Sequence, residues 1–433
     1  MSDNSLDTSV APASGSSHAG RLAPAIVAIL STAISGYCFA VLPVLRGALQ
    51  AHLHASLSQF GFLLSAGAVP GAVSALVGGM LVARTGARSV LRVALVGTAV
   101  GYFAAAAVRG WIGMLLAVLL IFLFQGCLAL ATQAYLADLF PGARRRVLSA
   151  YLVTVSVMGI GFPLWAEAIV RMQADPTPVS FRQLLHVPFA VVGASMLLGA
   201  VLLRQREPRA QRRSGTARSS TWRRRSLQPG SPVLVALLVL HVISDNAAYL
   251  WMSRVLASPS FPASLVTPGV VMASFSLGYA VSRAFLSMLP EQVGRNLLLV
   301  APGLLGGTAF IAGVLSHQQV LTAAGYVLGG FLWSLEYPAL LATLSRREGR
   351  NFGFALGLVT VGSGIGSFVV PYGMGLAGSA LGDARLWTIL LWPAVGFLAV
   401  GAGGAFWLAR YRPFATAERD GTSAAASDAS ASR

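Results

Sequence analysis

Three side chains able to hold a charge or a proton recur at helical spacing inside an apolar stretch: His241, Asp245 and Tyr249 in "HVISDNAAYL", with Asn246 alongside. Steps of four residues place the three on one face of a helix. A carboxylate one turn from an imidazole favours the imidazolium, so His241 and Asp245 together can share a proton near neutral pH. Glu336 sits in a second apolar stretch, with Trp333 and Tyr337 at helical offsets, and Arg283 in a third. Arg283 and Glu336 are expected at similar depth. They predict a buried ion pair or, alternatively, an arginine whose planar fork receives an anionic group. Gln125, Thr132 and Gln133 form one further polar stripe, and Ser31, Ser35 and Tyr37 another. For the glutamines and serines, hydrogen bonding across packed helices is an equal alternative to ligand binding. For Tyr37, Tyr249 and Trp333, packing is the competing role. The chemistry on offer is proton exchange and polar recognition.

The elements that must position these groups follow from the solvent. The chain has 433 residues, is 55% hydrophobic and only 10% charged, and has a mean hydropathy of +0.71. That is far more apolar than a soluble domain, so an all-α integral membrane protein is expected. A spanning helix needs about 20 mostly apolar residues. Six such segments precede residue 205, at 23–45, 57–83, 89–108, 112–140, 147–170 and 187–204. Six more follow, at 231–254, 264–289, 296–316, 319–344, 352–377 and 386–409. The domain plan is therefore a disordered cytoplasmic tail (1–22), a six-helix bundle (23–204), a basic linker (205–230), a second six-helix bundle (231–412) and another disordered cytoplasmic tail (413–433). The first tail lacks the basic start and apolar core of a signal peptide.

The net charge of +17 comes from 31 basic residues, all arginine. They cluster between apolar runs, which is a topology signal and not a nucleic-acid surface. With the amino terminus inside, the inner segments hold Arg84, Arg88, Arg92, Arg144 to Arg146, the linker cluster, Arg295, Arg346, Arg347, Arg350, Arg410 and Arg412. The outer loops hold Arg46, Arg109, Arg171, Arg182, Arg254 and Arg385. This places both termini in the cytoplasm and the chain in the cytoplasmic membrane. The halves also echo each other. "GMLVARTGARSVL" after the second span has a counterpart in "SMLPEQVGRNLLL" after the eighth, and "ADLFPGARRR" has one in "ATLSRREGR". A repeat of this kind accompanies two bundles that rock about a midplane site.

Over residues 23–412 the chain resembles the major facilitator superfamily. The family's motif between the second and third helices, Gly-x-Leu-x-Asp-Arg-x-Gly-Arg-Arg-x-x-Leu, is matched by Gly79, Leu81, Arg84, Gly86, Arg88 and Leu91. Ala83 and Ala87 replace its Asp and one Arg, which removes the usual salt-bridge latch. The glycines permit a tight turn and the arginines can bind helix carbonyls or a carboxylate such as Asp138. The antiporter-type Arg-x-x-Gln-Gly reads Phe122-Leu-Phe-Gln125-Gly126, without the arginine, and the exporter-type Gly-x-x-x-Gly-Pro appears only out of register at Gly159, Gly161 and Pro163. The resemblance implies twelve transmembrane helices in two pseudo-symmetric bundles, with the first, fourth, seventh and tenth lining a central cavity. The residues it would place on the substrate and proton pathway are Asp245, His241, Asn246, Tyr249, Arg283, Trp333, Glu336, Gln125, Gln133 and Tyr37. Gly79, Arg84, Gly86, Arg88 and Asp138 would form the conformational motif.

No phosphate loop, nucleotide motif or Ser/His/Asp arrangement is present, and Cys38 and Cys127 lie in apolar segments without metal-ligand spacing. No enzyme, cofactor or metal site is expected. The sequence predicts a secondary transporter, acting as a monomer in the bilayer, that moves a small polar organic molecule with protons as coupling ion. Export of a metabolite, siderophore or drug is the preferred direction. Uptake of a sugar or organic acid is the alternative, and a non-transporting membrane sensor is the alternative of another class. The arginine bias yields a direct test: a reporter fused within 205–230 should read as cytoplasmic, because only that arrangement concentrates the arginines inside. An externally accessible linker would refute the twelve-span plan.

Overall fold

In the computed structural model, the described residues are 18–140, 144–172, 186–203, 226–259, 261, 266–288, 296–348 and 352–431. Most of the first tail and residues 204–225 of the linker region lie outside them. Among the described residues every regular element is helical. The first half comprises α1 (His18–Ser35), α2 (Tyr37–Val41), α3 (Arg46–Leu53), α4 (Leu57–Ala66), α5 (Ala68–Thr85), α6 (Ala87–Ala106), α7 (Trp111–Leu139), α8 (Arg144–Met172) and α9 (Val187–Leu202). The second comprises α10 (Ser231–Leu256), α11 (Pro268–Met288), α12 (Ala301–Leu315), α13 (Gln319–Glu348), α14 (Phe352–Leu381) and α15 (Leu391–Ala431). Among the described residues, ten spans are long and apolar enough to cross a membrane, and α9 and α12 are shorter apolar helices. The first span is α1 plus α2, and the second is α4 plus α5. The helix α15 continues past residue 412, where a disordered tail was expected. Its extension, "GTSAAASDASA", is rich in alanine, the best helix former.

Local chemistry sets the breaks. The first span bends at Gly36, and the Ser35 carbonyl at the break accepts from the Tyr102 hydroxyl at 2.6 Å and from Gln125 Nε2 at 3.2 Å. Such side-chain partners are what allow an interrupted helix at membrane depth, where water is absent. The second span begins with a capping box in which Ser56 and Gln59 bond reciprocally, at 3.2 and 2.8 Å. The third begins after Gly86, whose φ of +88° suits glycine. Large apolar side chains such as Val93, Leu116, Leu198 and Leu305 point outward on both halves. In lipid such a surface carries no penalty.

The cores reveal how the halves meet. At the end remote from the linker, one apolar cluster includes Leu42, Phe60 and Phe189 of the first half together with Tyr249, Trp251 and Phe397 of the second. At the linker end the halves have separate cores, one around Leu91, Leu136 and Leu203 and another around Leu238, Leu340 and Trp407. Several contacts close the far end. Phe39 stacks on Tyr249 with centroids 5.1 Å apart, and Ser253 Oγ donates to the Pro43 carbonyl at 2.8 Å. Glu167 Oε2, on α8, accepts from Gly269 N at the start of α11 at 3.0 Å, a carboxylate at a helix N-terminus.

Glycines make the tightest of these approaches possible. A Cβ at Gly61 of α4 would lie 3.1 Å from Trp251 Cζ2 and 3.2 Å from Gly375 Cα of α14. Gly61→Leu should therefore hold the far end apart without disturbing either bundle's own core. The expected outcome is a folded protein with far-end cysteine probes newly accessible to a membrane-impermeant reagent and with transport reduced at least tenfold. Unchanged labelling and transport would show that this seam does not close during the cycle.

Candidate functional site

The candidate site is assembled on α10, the seventh span, which starts after Gly230 at φ +85° with a proline in its first turn. On its polar face, His241 Nδ1 lies 2.9 Å from Glu336 Oε2 of α13. Both side chains are buried, at 3% and 0% exposure. The two share one proton position, and Tyr337 and Phe397 flank the imidazole with centroids 5.7 and 5.5 Å away. Glu336 Oε1 has no hydrogen-bond partner among the described residues and faces α12, where a Cβ at Gly303 would stand 2.6 Å away. Glycine leaves room for the carboxylate. The ion pair expected between Arg283 and Glu336 is thus replaced by His241 with Glu336. The reason is rotational: Glu336 faces α10 and α12 inside the second bundle, while Arg283 faces the other half.

Arg283, on α11, donates from Nη1 to Ser156 Oγ of α8 at 3.2 Å and lies over the Tyr279 ring at 5.0 Å. It is half-buried at the seam between the halves. One turn beyond His241 on α10, Asp245 has His241, Tyr279 and Arg283 as its electrostatic neighbours. Its carboxylate has the Tyr279 hydroxyl as its side-chain hydrogen-bonding neighbour, at a geometry that leaves Oδ1 short of a full hydrogen bond, and the Tyr326 hydroxyl is buried without a partner among the described residues. Tyr326 is stacked on Phe275, with centroids 4.4 Å apart. A buried carboxylate oxygen and two buried hydroxyls with hydrogen-bonding capacity to spare in one neighbourhood are groups that a bound polar molecule or water would satisfy.

The other sequence candidates distribute differently. Asn246 Nδ2 donates to Ser367 Oγ at 2.8 Å and ties α10 to α14. Tyr249 joins the far-end seal through Phe39. Gln125 supports the break in the first span, with its Oε1 buried and unmatched. Tyr37 packs inside the first half against Phe162, Trp165 and Phe189. Trp333 is fully buried in the second, parallel to Phe397 at 3.4 Å. Gln133 is exposed on α7 toward the linker end. In the loop motif, Arg88 donates through Nε and Nη2 to the Leu203 carbonyl at 2.9 and 2.6 Å, capping the end of α9. Arg84 and Asp138 are exposed and Gly79 is loosely packed, with Leu130 3.7 Å from its Cβ position. Sequence reasoning missed Ser156, Tyr279 and Tyr326. The i,i+4 spacing of Tyr279 and Arg283 carried a signal for one of them.

Removing one member of a buried charged or proton-sharing pair strands the other, at a cost on the order of 3–5 kcal/mol. Glu336→Ala should therefore lower the thermal midpoint and yield of the purified protein sharply, whereas Arg283→Gln should leave both near wild type. Equal stability of the two variants would contradict this division of roles.

The model of the Major Facilitator Superfamily matches residues 27–262. Among solved structures, a D-xylose-proton symporter is similar, with a TM-score of 0.71 and 15% identity, covering 89% of this chain and 97% of that one. A proton:xylose symporter bound to 6-bromo-6-deoxy-D-glucose gives a TM-score of 0.67 at 13% identity, over 90% and 95% of the two chains. The family match spans more than half of the chain and the fold agrees over nearly all of it, so this protein belongs to the Major Facilitator Superfamily and is a multi-pass membrane transporter.

Proposed function

We propose that the protein is a proton-coupled carrier of a small polar organic molecule, working by alternating access, with Asp245 as its coupling carboxylate. The observation that carries this reading is the buried Asp245 carboxylate, set among Tyr279, His241 and Arg283 with its Oδ1 short of a full hydrogen bond. A carboxylate in hydrocarbon costs roughly 3 kcal/mol or more even at the low end of measured scales, so it persists where it has a function. Protonated, Asp245 becomes a neutral donor and leaves Arg283 available to other groups. Ionised, it holds Arg283 by charge attraction. Substrate and proton then bias the same equilibrium through their differential binding to its two states. The buried His241 and Glu336 pair, one turn away, is the adjacent proton store, and Arg283 and the tyrosines are the polar contacts for substrate.

The direction we propose is uptake with protons, for a sugar or organic acid. Two observations favour it over export: Phe122 stands where the antiporter motif has arginine, and the similar solved structures are of proton symporters for xylose. We infer from the arginine clusters that the linker and both termini are cytoplasmic and that the membrane is the cytoplasmic one. On that orientation the separated linker-end cores and the shared far-end core describe an inward-open conformer.

The test is a transport assay in proteoliposomes with an imposed pH gradient, using a panel of pentoses, hexoses and hydroxy acids with D-xylose first. Wild type should accumulate its substrate and co-transport protons. Asp245→Asn should still exchange substrate at equal concentrations across the membrane but lose gradient-driven accumulation, and His241→Gln should shift the pH optimum with a milder loss. Accumulation that survives intact in Asp245→Asn would reduce this carboxylate to a packing group.

A further inference from the structure

Arg46 is the largest charged side chain buried in the described structure, at 2% exposure, and it belongs to the far end and not to the Asp245 region. It opens α3, in the connection between the first two spans. Its Nε donates to Gln50 Oε1 at 3.0 Å, and its guanidinium lies between two rings, 5.3 Å from the Phe60 centroid and 5.0 Å from that of Trp251. Cation–π contact offsets part of the burial of the charge. It does not satisfy the hydrogens: Nη1 and Nη2 are both buried without a partner.

A second cation stands nearby. Arg254, on the last turn of α10, donates from Nη2 to Asp383 Oδ1 at 2.6 Å, and its Nε is likewise buried without a partner. The Asp383 side chain is 55% exposed and is already committed to Arg254. Burial first, and then the Arg254 charge, push Arg46 down to about 8, with Asp383 opposing them. Among the described residues, two guanidinium groups stand here with one carboxylate, and three N–H-bearing nitrogens have no hydrogen-bond partner.

We propose that this far-end seam binds one small monovalent anion of halide size, held by Nη1 and Nη2 of Arg46 and Nε of Arg254. The aromatic faces of Phe60 and Trp251 enclose the site and the arginines supply the donors. Because Arg46 comes from the first half and Arg254 from the second, the donors converge only while the far end is closed. The anion therefore stabilises that conformer by mass action and opposes opening on the far side. This site is independent of the direction of transport and of the identity of the substrate.

The experiment is thermal unfolding of the purified full-length protein, titrated with sodium chloride against sodium gluconate at fixed ionic strength, with bromide and formate as further arms. Chloride and bromide should raise the unfolding midpoint saturably, whereas gluconate, too large for the site, should not. A matching rise with formate would show that a carboxylate serves as well as a halide. The chloride-dependent rise should vanish in Arg46→Gln and in Arg254→Gln, and the latter decides the matter if the former does not fold. Overlapping chloride and gluconate curves in wild type, or an undiminished chloride response in Arg254→Gln, would overturn the proposal.

Discussion

The high cost of an unmatched polar group in hydrocarbon is the constraint on which the rest of this structure depends. It makes the protein helical throughout the described residues, since only helices satisfy their own backbone in a single span. It also dictates where polar side chains go. Several buried polar groups are paired across helices, as Asn246 is with Ser367 and Thr32 with Thr132 at 2.6 Å. The break at Gly36 obeys the same rule, because Tyr102 and Gln125 take over a carbonyl that the helix has released. The same tyrosine hydroxyl accepts from Cys38 N at 3.0 Å, so both sides of the break are matched through one side chain.

Among the groups that fall short of full pairing, two sets lie between the halves. Asp245 and Tyr279 do so near the seam, with Tyr326 behind them, and Arg46 and Arg254 do so at the far end. Each of these regions borders both halves. The interior of each half is packed by aromatic side chains, around Tyr37 and Phe189 in the first and by Trp333 against Phe397 in the second. Unmatched groups inside a rigid bundle would only cost stability. Placed between two bodies that separate and rejoin, they can be matched in one arrangement and hydrated or ligated in another, which is how a ligand biases a conformational equilibrium.

Much of this was legible in the sequence, for identifiable reasons. Apolar runs bounded by arginines carry their own length scale, so the spans and the two-bundle plan could be read directly. The face of α10 with His241, Asp245 and Tyr249 follows from spacing alone. What spacing cannot supply is the rotation of one helix against another. Glu336 and Arg283 stand at comparable depth, but Glu336 turns toward His241, 95 residues earlier, and Arg283 turns toward Ser156, 127 residues earlier. Trp333 and Tyr37, listed among cavity residues on helix number alone, occupy the packed sides of their helices. Arg46 read as an ordinary outer-loop arginine because nothing in "VLRGALQ" announces that Phe60 and Trp251 close over it.

The two ends of the protein are also built from different materials, and this bears on how it can move. The far end is closed by short-range contacts that need close approach: Gly61 against Gly375 and Trp251, Phe39 on Tyr249, and Glu167 on the start of α11. Such contacts are lost within about an ångström of separation, because dispersion falls steeply with distance. At the linker end the turn into the third span is fixed within its own half, by Arg88 on the Leu203 carbonyl, and the entry to α10 is fixed within the other, by Trp407 Nε1 on the Gly230 carbonyl at 3.0 Å. Each half is thus braced internally at the linker end, where its core is its own, and latched to the other half at the far end, where the core is shared. A rocking motion of the kind proposed would trade one set of latches for another and leave the braces intact.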